Sequence, residues 1–533
     1  DTDRSRGLGD VYKRQKLYQP LFILLSLFSL GSCMSDSLNM DPDKIMENEL
    51  EKDNLWGTYL LTMQENVISG VVNDFQRSED LFGNMYSGYM AGTNNWEGGA
   101  NGTTYAFPAH WIDTPFKIAY VDFLASWNIL RQKEDSTSIL FAVGEIVKVV
   151  AMHKTCDMYG PLPYKKFGLA NPVPYDSQKD IYDSFFKELD HGIDILTKYD
   201  QLNPASKALV NFDLIYSSDI PKWIRLANSL KLRLAMRTRF IQEDISKEIA
   251  ETAVANPYGV MTSNDDNATM TDNSNLVYRF YNPMYNIWHG YDDECMGATM
   301  DSYMNGYKDP RLSHYFQAND AGTYRGLRNG HKDANKFKGS KQTSKPNISR
   351  DTPYHWQTAS EVYFLRAEGA MLGWDMGGTA EELYKEGIKA SFALCGIQDA
   401  STINSYLADN TNRPIAYQAV SGSQSAPAPS SITIAWKESA GEEEKLERII
   451  TQKWIAMYPL GQEAWSEFRR TGYPKVFPVI DNLSNGLIND IDQVCRIPFP
   501  ESEYLGNAPE VEKATKLLGG PDNGGTKLWW DVK

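Results

Sequence analysis

The stretch KWIRLANSLKLRLAMRTRF, residues 222–240, carries six basic side chains in a chain whose formal net charge is −16. At 100° per residue its apolar side chains form two groups on opposite sides of a helix. One group is Trp223, Leu226, Ala227, Leu230 and Leu234, and the other is Leu232, Ala235 and Met236. Because Arg237 falls inside the first group and Arg233 flanks it, no continuous basic face remains. The pattern predicts a buried helix whose arginines pair with carboxylates of neighbouring helices.

Helical spacing recurs along the chain and predicts a mostly α-helical protein. Three further apolar stripes follow helical periodicity, over residues 142–153, 181–196 and 362–372. Ala380, Tyr384 and Gly387 show the small–aromatic–small spacing that is typical of the second helix of a tetratricopeptide repeat. We therefore expect tetratricopeptide-like helix pairs that form an α-solenoid-type scaffold.

Composition excludes several function classes. With a sequence pI of about 5.0, the chain repels phosphate backbones, so we expect no nucleic-acid partner. The cysteines from Cys156 to Cys495 are far apart and lack zinc-like spacing. His153 and Cys156, one helical turn apart, are interpreted as packing residues. We predict neither a metal site nor a cofactor.

The N-terminal region predicts export and a lipid anchor. Basic residues precede the apolar run LFILLSLFSL, residues 21–30, which is too short to span a bilayer as a helix. Leu30-Gly31-Ser32-Cys33 resembles the lipobox of bacterial lipoproteins. Residues 1–32 are thus interpreted as a signal peptide, although 1–15 do not look like a native signal start. Lipidated Cys33 begins a polar tether, 33–50, that anchors the protein to the membrane.

The remaining residues, 51–533, are predicted to be one domain with long inserted loops. These loops lack helical periodicity and cover residues 82–111, 264–291, 322–354 and 421–431. The first three are rich in aromatic residues, which favours a functional role. The last, SGSQSAPAPSS, is of low complexity, which favours disorder.

Several segments resemble the SusD/RagB family of Bacteroidetes outer-membrane lipoproteins. Besides residues 222–237, they are DMYGPLPY (157–164), KDPRL (308–312), EVYFLRAEGAMLGW (361–374), IITQKWIAMYPLGQEAWSEFRRTGYP (449–474) and RIPFPESEY (496–504). They occur in order and cover nearly all of the chain after the signal, and the lipobox fits the same family. The chain looks closest to the starch-binding branch that associates with the outer membrane.

The resemblance implies a role in nutrient capture. Members of this family are helical, surface-exposed lipoproteins that bind nutrients, usually glycans, without catalysis. They act as lids on a SusC-like TonB-dependent transporter in the outer membrane. RagB-type members take up peptides, so peptide capture is the alternative function. The quoted motifs belong to the scaffold, and no ligand-binding residue is carried over with them.

Candidate binding residues therefore rest on chemistry. A sugar ring offers apolar C–H faces edged by hydroxyls, which suits aromatic side chains beside short polar ones. NNWEGG contains Trp96, and NPMYNIWHGYDD contains Asn282, Tyr285, Trp288, Tyr291 and Asp292. Tyr86, Trp111 and Trp356 are weaker candidates. The alternative is that these aromatics pin the loops to the scaffold.

Two other functions fit less well. A surface glycosidase needs two carboxylates across a cleft, and Glu97, Asp292, Asp293 and Glu294 are available. No hydrolase motif accompanies these acids. A pure tetratricopeptide scaffold for another protein would not need long aromatic loops.

Overall fold

The structure, a computed structural model, describes residues 52–533. The predicted signal peptide 1–32, Cys33 and the tether 33–50 lie outside these residues. Within 52–533, none of the helices combines the length and the apolar character that crossing a membrane requires. Residues 56–533 pack as one compact unit.

Helices dominate the described residues, as the periodicity predicts. The α-helices are α1 (Lys52–Glu65), α2 (Val72–Phe75), α3 (Ala109–Lys117), α4 (Leu124–Lys133), α5 (Ile139–Tyr159), α6 (Gln178–Leu202), α7 (Ile220–Thr238), α8 (Glu243–Ala255), α9 (Pro283–Tyr285), α10 (Ala298–Met300), α11 (Leu312–Tyr315), α12 (Ala359–Met371), α13 (Ala380–Leu394), α14 (Ala400–Leu407), α15 (Glu442–Ala456), α16 (Gly461–Thr471), α17 (Glu501–Gly506) and α18 (Ala508–Leu518). Four segments are π-helical: Gln76–Asn84, Ile118–Phe123, Asn286–Tyr291 and Asp301–Asn305. Four are 3-10 helical: Trp96–Gly99, Gly102–Thr104, Asn264–Asp266 and Ala334–Phe337.

The long helices pack in sequential pairs. Helix α6 lies against α5 and α7, α7 lies against α8, and α12 lies against α13, with α15 packed on both. In the α12–α13 pair, a Cβ on Gly387 would stand only 2.8 Å from the ring of Phe364. The small residue of the repeat-like pattern thus lets the two helices approach closely. The mostly α fold class and its paired helices are confirmed.

Only short strands occur in the described residues. They are β1 (Met90–Gly92), β2 (Ala268–Met270), β3 (Glu294–Met296) and β4 (Tyr354–Gln357). Strand β1 pairs antiparallel with β3, and β2 pairs antiparallel with β4. They connect the irregular segments to one another, while the helices form the body of the protein.

Helix α7 contains most of the opening stretch and is buried, as predicted. It begins after Asp219, whose side chain accepts a hydrogen bond from the Lys222 backbone N–H at 3.2 Å. Arg233 forms an ion pair with Glu361 of α12 at 2.6 Å. Arg237 is fully buried and contacts Glu463 and Glu467 of α16 at 2.6 and 3.0 Å. The charges are therefore paired inside the protein.

These pairs belong to a larger buried ion network. Arg470 bonds to Glu368 and to Glu467, each at 2.6 Å, and Lys453 approaches Glu467 at 3.1 Å. The network contains five carboxylates and five cations: Asp157, Glu361, Glu368, Glu463, Glu467, Arg233, Arg237, Arg239, Lys453 and Arg470. Burial alone would raise the pKa of Glu467. The positive charges of Arg470, Lys453 and Arg237 outweigh this effect and hold the pKa of Glu467 well below its ordinary value. The motifs that resemble the SusD/RagB family, 157–164, 222–237, 361–374 and 449–474, contribute most of these residues. The charged residues of these motifs therefore hold the scaffold together.

The KDPRL motif has a similar structural role. Arg311 is fully buried and donates to both carboxylate oxygens of Asp309, at 2.9 and 2.6 Å. It also donates to Ser391 of α13 and to Gln452 of α15, each at 3.0 Å. The motif thereby ties an irregular segment to two helices of the scaffold.

Candidate functional site

The β1–β3 ladder brings two of the predicted loops together. Gly92 at the end of β1 lies opposite Glu294 at the start of β3. The chain that leaves β1 toward Trp96 and the chain that enters β3 from Trp288 must therefore share one end of the ladder. Thr93 donates its backbone N–H to the Asp293 carbonyl at 2.9 Å. Segments about 200 residues apart in sequence become neighbours in this way.

Residues 322–354 join the same region. The Leu327 N–H donates to the Met296 carbonyl, and the Met296 N–H donates to the Ser344 carbonyl, each at 2.9 Å. The Lys338 ammonium lies 3.1 Å from a carboxylate oxygen of Asp293. Asn335 accepts a hydrogen bond from the Asn95 backbone at 3.1 Å. The third predicted loop is thus bonded to both of the others.

The fourth loop, residues 421–431, packs beside the third, and the prediction of disorder is wrong. The Ser421 N–H donates to the Gln342 side chain at 3.0 Å, and Ser423 bonds to the His331 ring at 3.0 Å. An antiparallel bridge joins Tyr417 to Ala426. The serines bond to defined partners, which composition alone does not reveal.

A small apolar cluster lies beneath all these segments. Its members are Ala91, Cys295, Leu327, Phe337 and Val420. We call the surface formed by residues 93–111, 281–293, 322–354 and 417–431 the loop platform. Residues 322–354 contain Leu327 and Phe337, residues 417–431 contain Val420, and Ala91 and Cys295 lie two positions outside the other two segments, so the platform has a hydrophobic core of its own.

The irregular regions contain more regular structure than the sequence predicts. Loop 82–111 starts inside the π-helical segment Gln76–Asn84, contains β1 and ends in α3. Loop 264–291 contains a 3-10 turn, β2 and α9, and it ends in a π-helical turn. Three-residue strands and π-turns are too short to produce a periodic pattern, so the sequence does not reveal them.

Three aromatic rings form one cluster on the loop platform. The Tyr285 ring stacks on His289 with centroids 4.7 Å apart, and Trp288 meets Tyr285 edge-on at 5.8 Å. The Trp288 indole N–H donates to the Ile348 carbonyl at 2.8 Å, which fixes the ring on the third loop. Tyr285 and Trp288 are half-buried, His289 is exposed, and Tyr291 is 40% exposed. The predicted residues Tyr285, Trp288 and Tyr291 therefore lie on one accessible segment.

Trp96 lies on the platform but is partly used in packing. Its ring meets Trp111 edge-on with centroids 5.7 Å apart, and it is half-buried. A Cβ on Gly92 would lie 3.2 Å from this ring, so the indole rests on the β1 backbone. Beside it, Glu97 has a positive φ of 55° and approaches His110 at 3.4 Å. Part of the Trp96 ring therefore packs on the loop, as a structural role requires, and part stays accessible, as ligand binding requires.

The structure corrects the prediction for Asn282. Its side chain is 2% exposed, donates to the Thr352 carbonyl at 3.0 Å and accepts from the Met284 N–H at 3.1 Å. It caps α9 and so positions the aromatic segment from below. Asp292 is partly exposed, and its carboxylate already binds Lys345 and the Gly339 N–H. A ligand contact through Asp292 remains a prediction.

The weaker aromatic candidates are wrong, and other residues were missed. Tyr86, Trp111 and Trp356 are at most 6% exposed and belong to the core. In contrast, Tyr281 is 49% exposed and has the Arg350 guanidinium 3.9 Å above its ring, next to the Asn282 cap. His289 was also missed, although its position beside Trp288 could have indicated it. Nothing in the sequence indicates the pairing of Tyr281 with Arg350.

The described residues offer no ready metal centre. Among residues 52–533, no group of three or more His, Cys, Asp or Glu side chains is arranged to hold an ion. His153 and Cys156 bond instead to the Val149 and Gly160 carbonyls, which confirms their packing role.

Comparisons with known proteins agree with the fold and the motifs. The chain resembles a chitin-binding SusD homologue from Flavobacterium johnsoniae, to which it is 38% identical. The match covers 90% of this chain and 99% of the homologue, and its TM-score is 0.86. SusD homologues from Bacteroides uniformis and Bacteroides ovatus are 36% and 34% identical, with the same coverage of both chains and TM-scores of 0.81. A search of curated protein sequences gives no match. Residues 37–531 match the profile of the SusD-like family, which is described as the SusD and RagB outer membrane lipoproteins. The chain therefore belongs to the SusD-like family of outer-membrane lipoproteins.

Proposed function

We propose that this protein captures oligosaccharides on the loop platform and passes them, uncleaved, to a SusC-like TonB-dependent transporter. The observation that carries the proposal is the accessible aromatic cluster of Tyr285, Trp288 and His289, with Tyr291 beside it. Aromatic faces fit the apolar C–H faces of sugar rings. The similarity to a chitin-binding homologue supports a glycan, and N-acetylglucosamine oligomers are the first ligands to test.

The arrangement of acids on the platform supports capture without catalysis. Asp292 and Asp293, two of the carboxylates that the glycosidase alternative would use, form ion pairs with Lys345 and Lys338. Glu294 is fully buried and does not reach a substrate on the surface. The glycosidase alternative would need two accessible carboxylates on either side of a sugar bond.

The remaining parts of the proposal rest on the N-terminal sequence and the family. Cys33 carries the lipid that anchors the protein to the outer membrane, and the tether 33–50 lets the platform face the cell exterior. The transporter partner follows from family membership.

Incubation of the purified protein with chitooligosaccharides tests the proposal. We expect ligand to be retained in affinity electrophoresis, with no shorter products in mass spectrometry. Release of shorter sugars would establish an enzyme. Retention of oligopeptides but not of sugars would instead favour the RagB-type alternative, peptide uptake.

A further inference from the structure

Two carboxyl groups are in contact beneath the loop platform. Asp80 lies in the π-helical segment Gln76–Asn84, Glu294 begins β3, and both are fully buried. Gln76 of the same π-helical segment donates to Asp293, the neighbour of Glu294, at 3.0 Å, and the two segments bring the carboxyl groups close enough to form a shared hydrogen bond once one of them carries a proton. Asn84 donates to the other oxygen of Asp80 at 3.0 Å. Asp80 Oδ2 and both carboxylate oxygens of Glu294 have no other hydrogen-bond partner among the described residues, and one shared proton would join Asp80 Oδ2 to one of the Glu294 oxygens.

Among the described residues, neither carboxyl group forms an ion pair. The Lys345 ammonium, whose charge acts on Glu294, bonds instead to Asp292 and to the Glu294 backbone carbonyl at 3.1 Å. Asp293 adds a third negative charge nearby, although Lys338 pairs with it. The other titratable groups around the pair are Glu79, which is paired with Lys154, and the neutral side chains of Cys295, Tyr354 and Tyr458.

Two carboxylates in contact inside a protein cannot both be ionised. We propose that Asp80 and Glu294 share one proton at neutral pH, and that this proton holds β3 and the loop platform against the π-helical segment. Both are positioning residues. Glu294 follows Asp292 and Asp293 in the chain and lies opposite Gly92, and Asp80 holds Glu294 from the π-helical segment. The inference concerns how the platform is held and does not depend on which ligand it binds.

Burial favours the protonated state of both groups. Burial and the Asp293 charge raise the pKa of Asp80 to about 6, against the lowering effect of the bonds from Glu294 and Asn84. Burial and the neighbouring Asp80 raise the pKa of Glu294 well above its ordinary value. Unfolded, both residues lose their protons near pH 4. Between about pH 5 and the pKa of the pair, the folded state therefore holds more protons than the unfolded state.

The sign of the pH effect follows from this difference. Stability from the pair is fully present below the unfolded pKa values and is lost as pH rises toward the folded pKa. For one proton, the unfolding equilibrium constant rises about tenfold per pH unit across that interval. Above it, two adjacent charges repel each other and loosen β3, with the platform segments attached to it.

The variant Glu294→Gln tests the inference, because its amide can donate to Asp80 without a titrating proton. We expect wild type and variant to have similar melting temperatures at pH 5, and the variant to become the more stable of the two toward pH 9. Glu442→Gln, an exposed position at the start of α15, is the matched control and should follow wild type throughout. Parallel curves for wild type and Glu294→Gln would overturn the inference.

Infrared spectroscopy gives a second readout that does not depend on unfolding. At pH 8 we expect wild type to show the carbonyl band of a protonated carboxylic acid that Glu294→Gln lacks. In Asp80→Asn the band should disappear at a lower pH than in wild type, because Asp80 no longer raises the pKa of Glu294. Asp80→Asn also serves if Glu294→Gln does not fold. Identical spectra of wild type and Glu294→Gln at pH 8, or the same pH dependence of the band in wild type and Asp80→Asn, would overturn the inference.

Discussion

Replacing Arg237 with methionine removes the central cation of the buried network. The side chain is fully buried and contacts Asp157, Glu463 and Glu467 at 3.3, 2.6 and 3.0 Å. Methionine retains much of the apolar volume but leaves these acids with less positive charge around them. The experiment therefore measures the contribution of the charge more than that of the packing.

The expected loss can be worked out from burial. Breaking a buried ion pair by removing one partner costs about 3–5 kcal/mol. For a unit of roughly 480 residues, the unfolding entropy near the midpoint is about 1 kcal/mol per degree. Arg237→Met should therefore lower the melting temperature by about 3–5 °C in differential scanning calorimetry. Lys222→Met, at a half-buried position on the same helix, should change stability by no more than about 0.5 kcal/mol.

A second substitution tests the cause. In the Arg237→Met background, Glu463→Gln removes one of the uncompensated charges and should recover part of the loss, with a coupling energy of about 0.5–3 kcal/mol. An unchanged melting temperature for Arg237→Met would refute the account of the motif as a structural charge network. So would strictly additive effects of the two substitutions.

Three further predictions concern pH, the platform and the anchor. The pKa values of Glu463 and Glu467 are lowered in the folded state, because the cations around them outweigh the effect of burial. The stability that these two carboxylates contribute is therefore present above about pH 4.5 and should be lost as the pH falls below that value. Melting temperatures measured between pH 6 and pH 3 will show this loss. Trp96→Ala should weaken retention in an oligosaccharide gel while costing about 1–3 kcal/mol of stability, from its ring contact with Trp111 and the apolar area that it buries on β1. A larger stability loss with normal retention would make Trp96 a structural pin. Cys33→Ala should move the protein from the membrane fraction to the soluble fraction, and continued membrane recovery without the transporter would contradict lipid anchoring.

The helical scaffold was largely predictable from sequence. The two apolar groups in residues 222–240 indicated a helix packed on both sides, and Arg237, inside one of them, indicated buried ion pairs. The apolar stripes over residues 142–153, 181–196 and 362–372 correctly indicated α5, α6 and α12. The partners of the arginines could not be derived, because Glu361 and Glu463 lie more than 120 residues away.

The candidate site was predictable only as a set of residue types. Trp96 and Trp288 were identified from composition, but their common surface depends on the pairing of three-residue strands. Asn282 was misassigned because a cap residue and a ligand-binding residue look alike in sequence. The order in residues 421–431 arises from bonds to Gln342 and His331, which no local pattern indicates.

Calorimetric titration of the Trp288→Ala variant with chitooligosaccharides tests the central claim most directly. Trp436→Ala is the matched control, because Trp436 is half-buried on the scaffold, where its ring packs on Tyr384. If the platform binds glycans, Trp288→Ala should raise the dissociation constant at least about tenfold, which is a loss of about 1.4 kcal/mol of binding free energy. Trp436→Ala should bind as wild type does, and the sugar should be recovered intact. Equal affinities for wild type and Trp288→Ala would contradict the account.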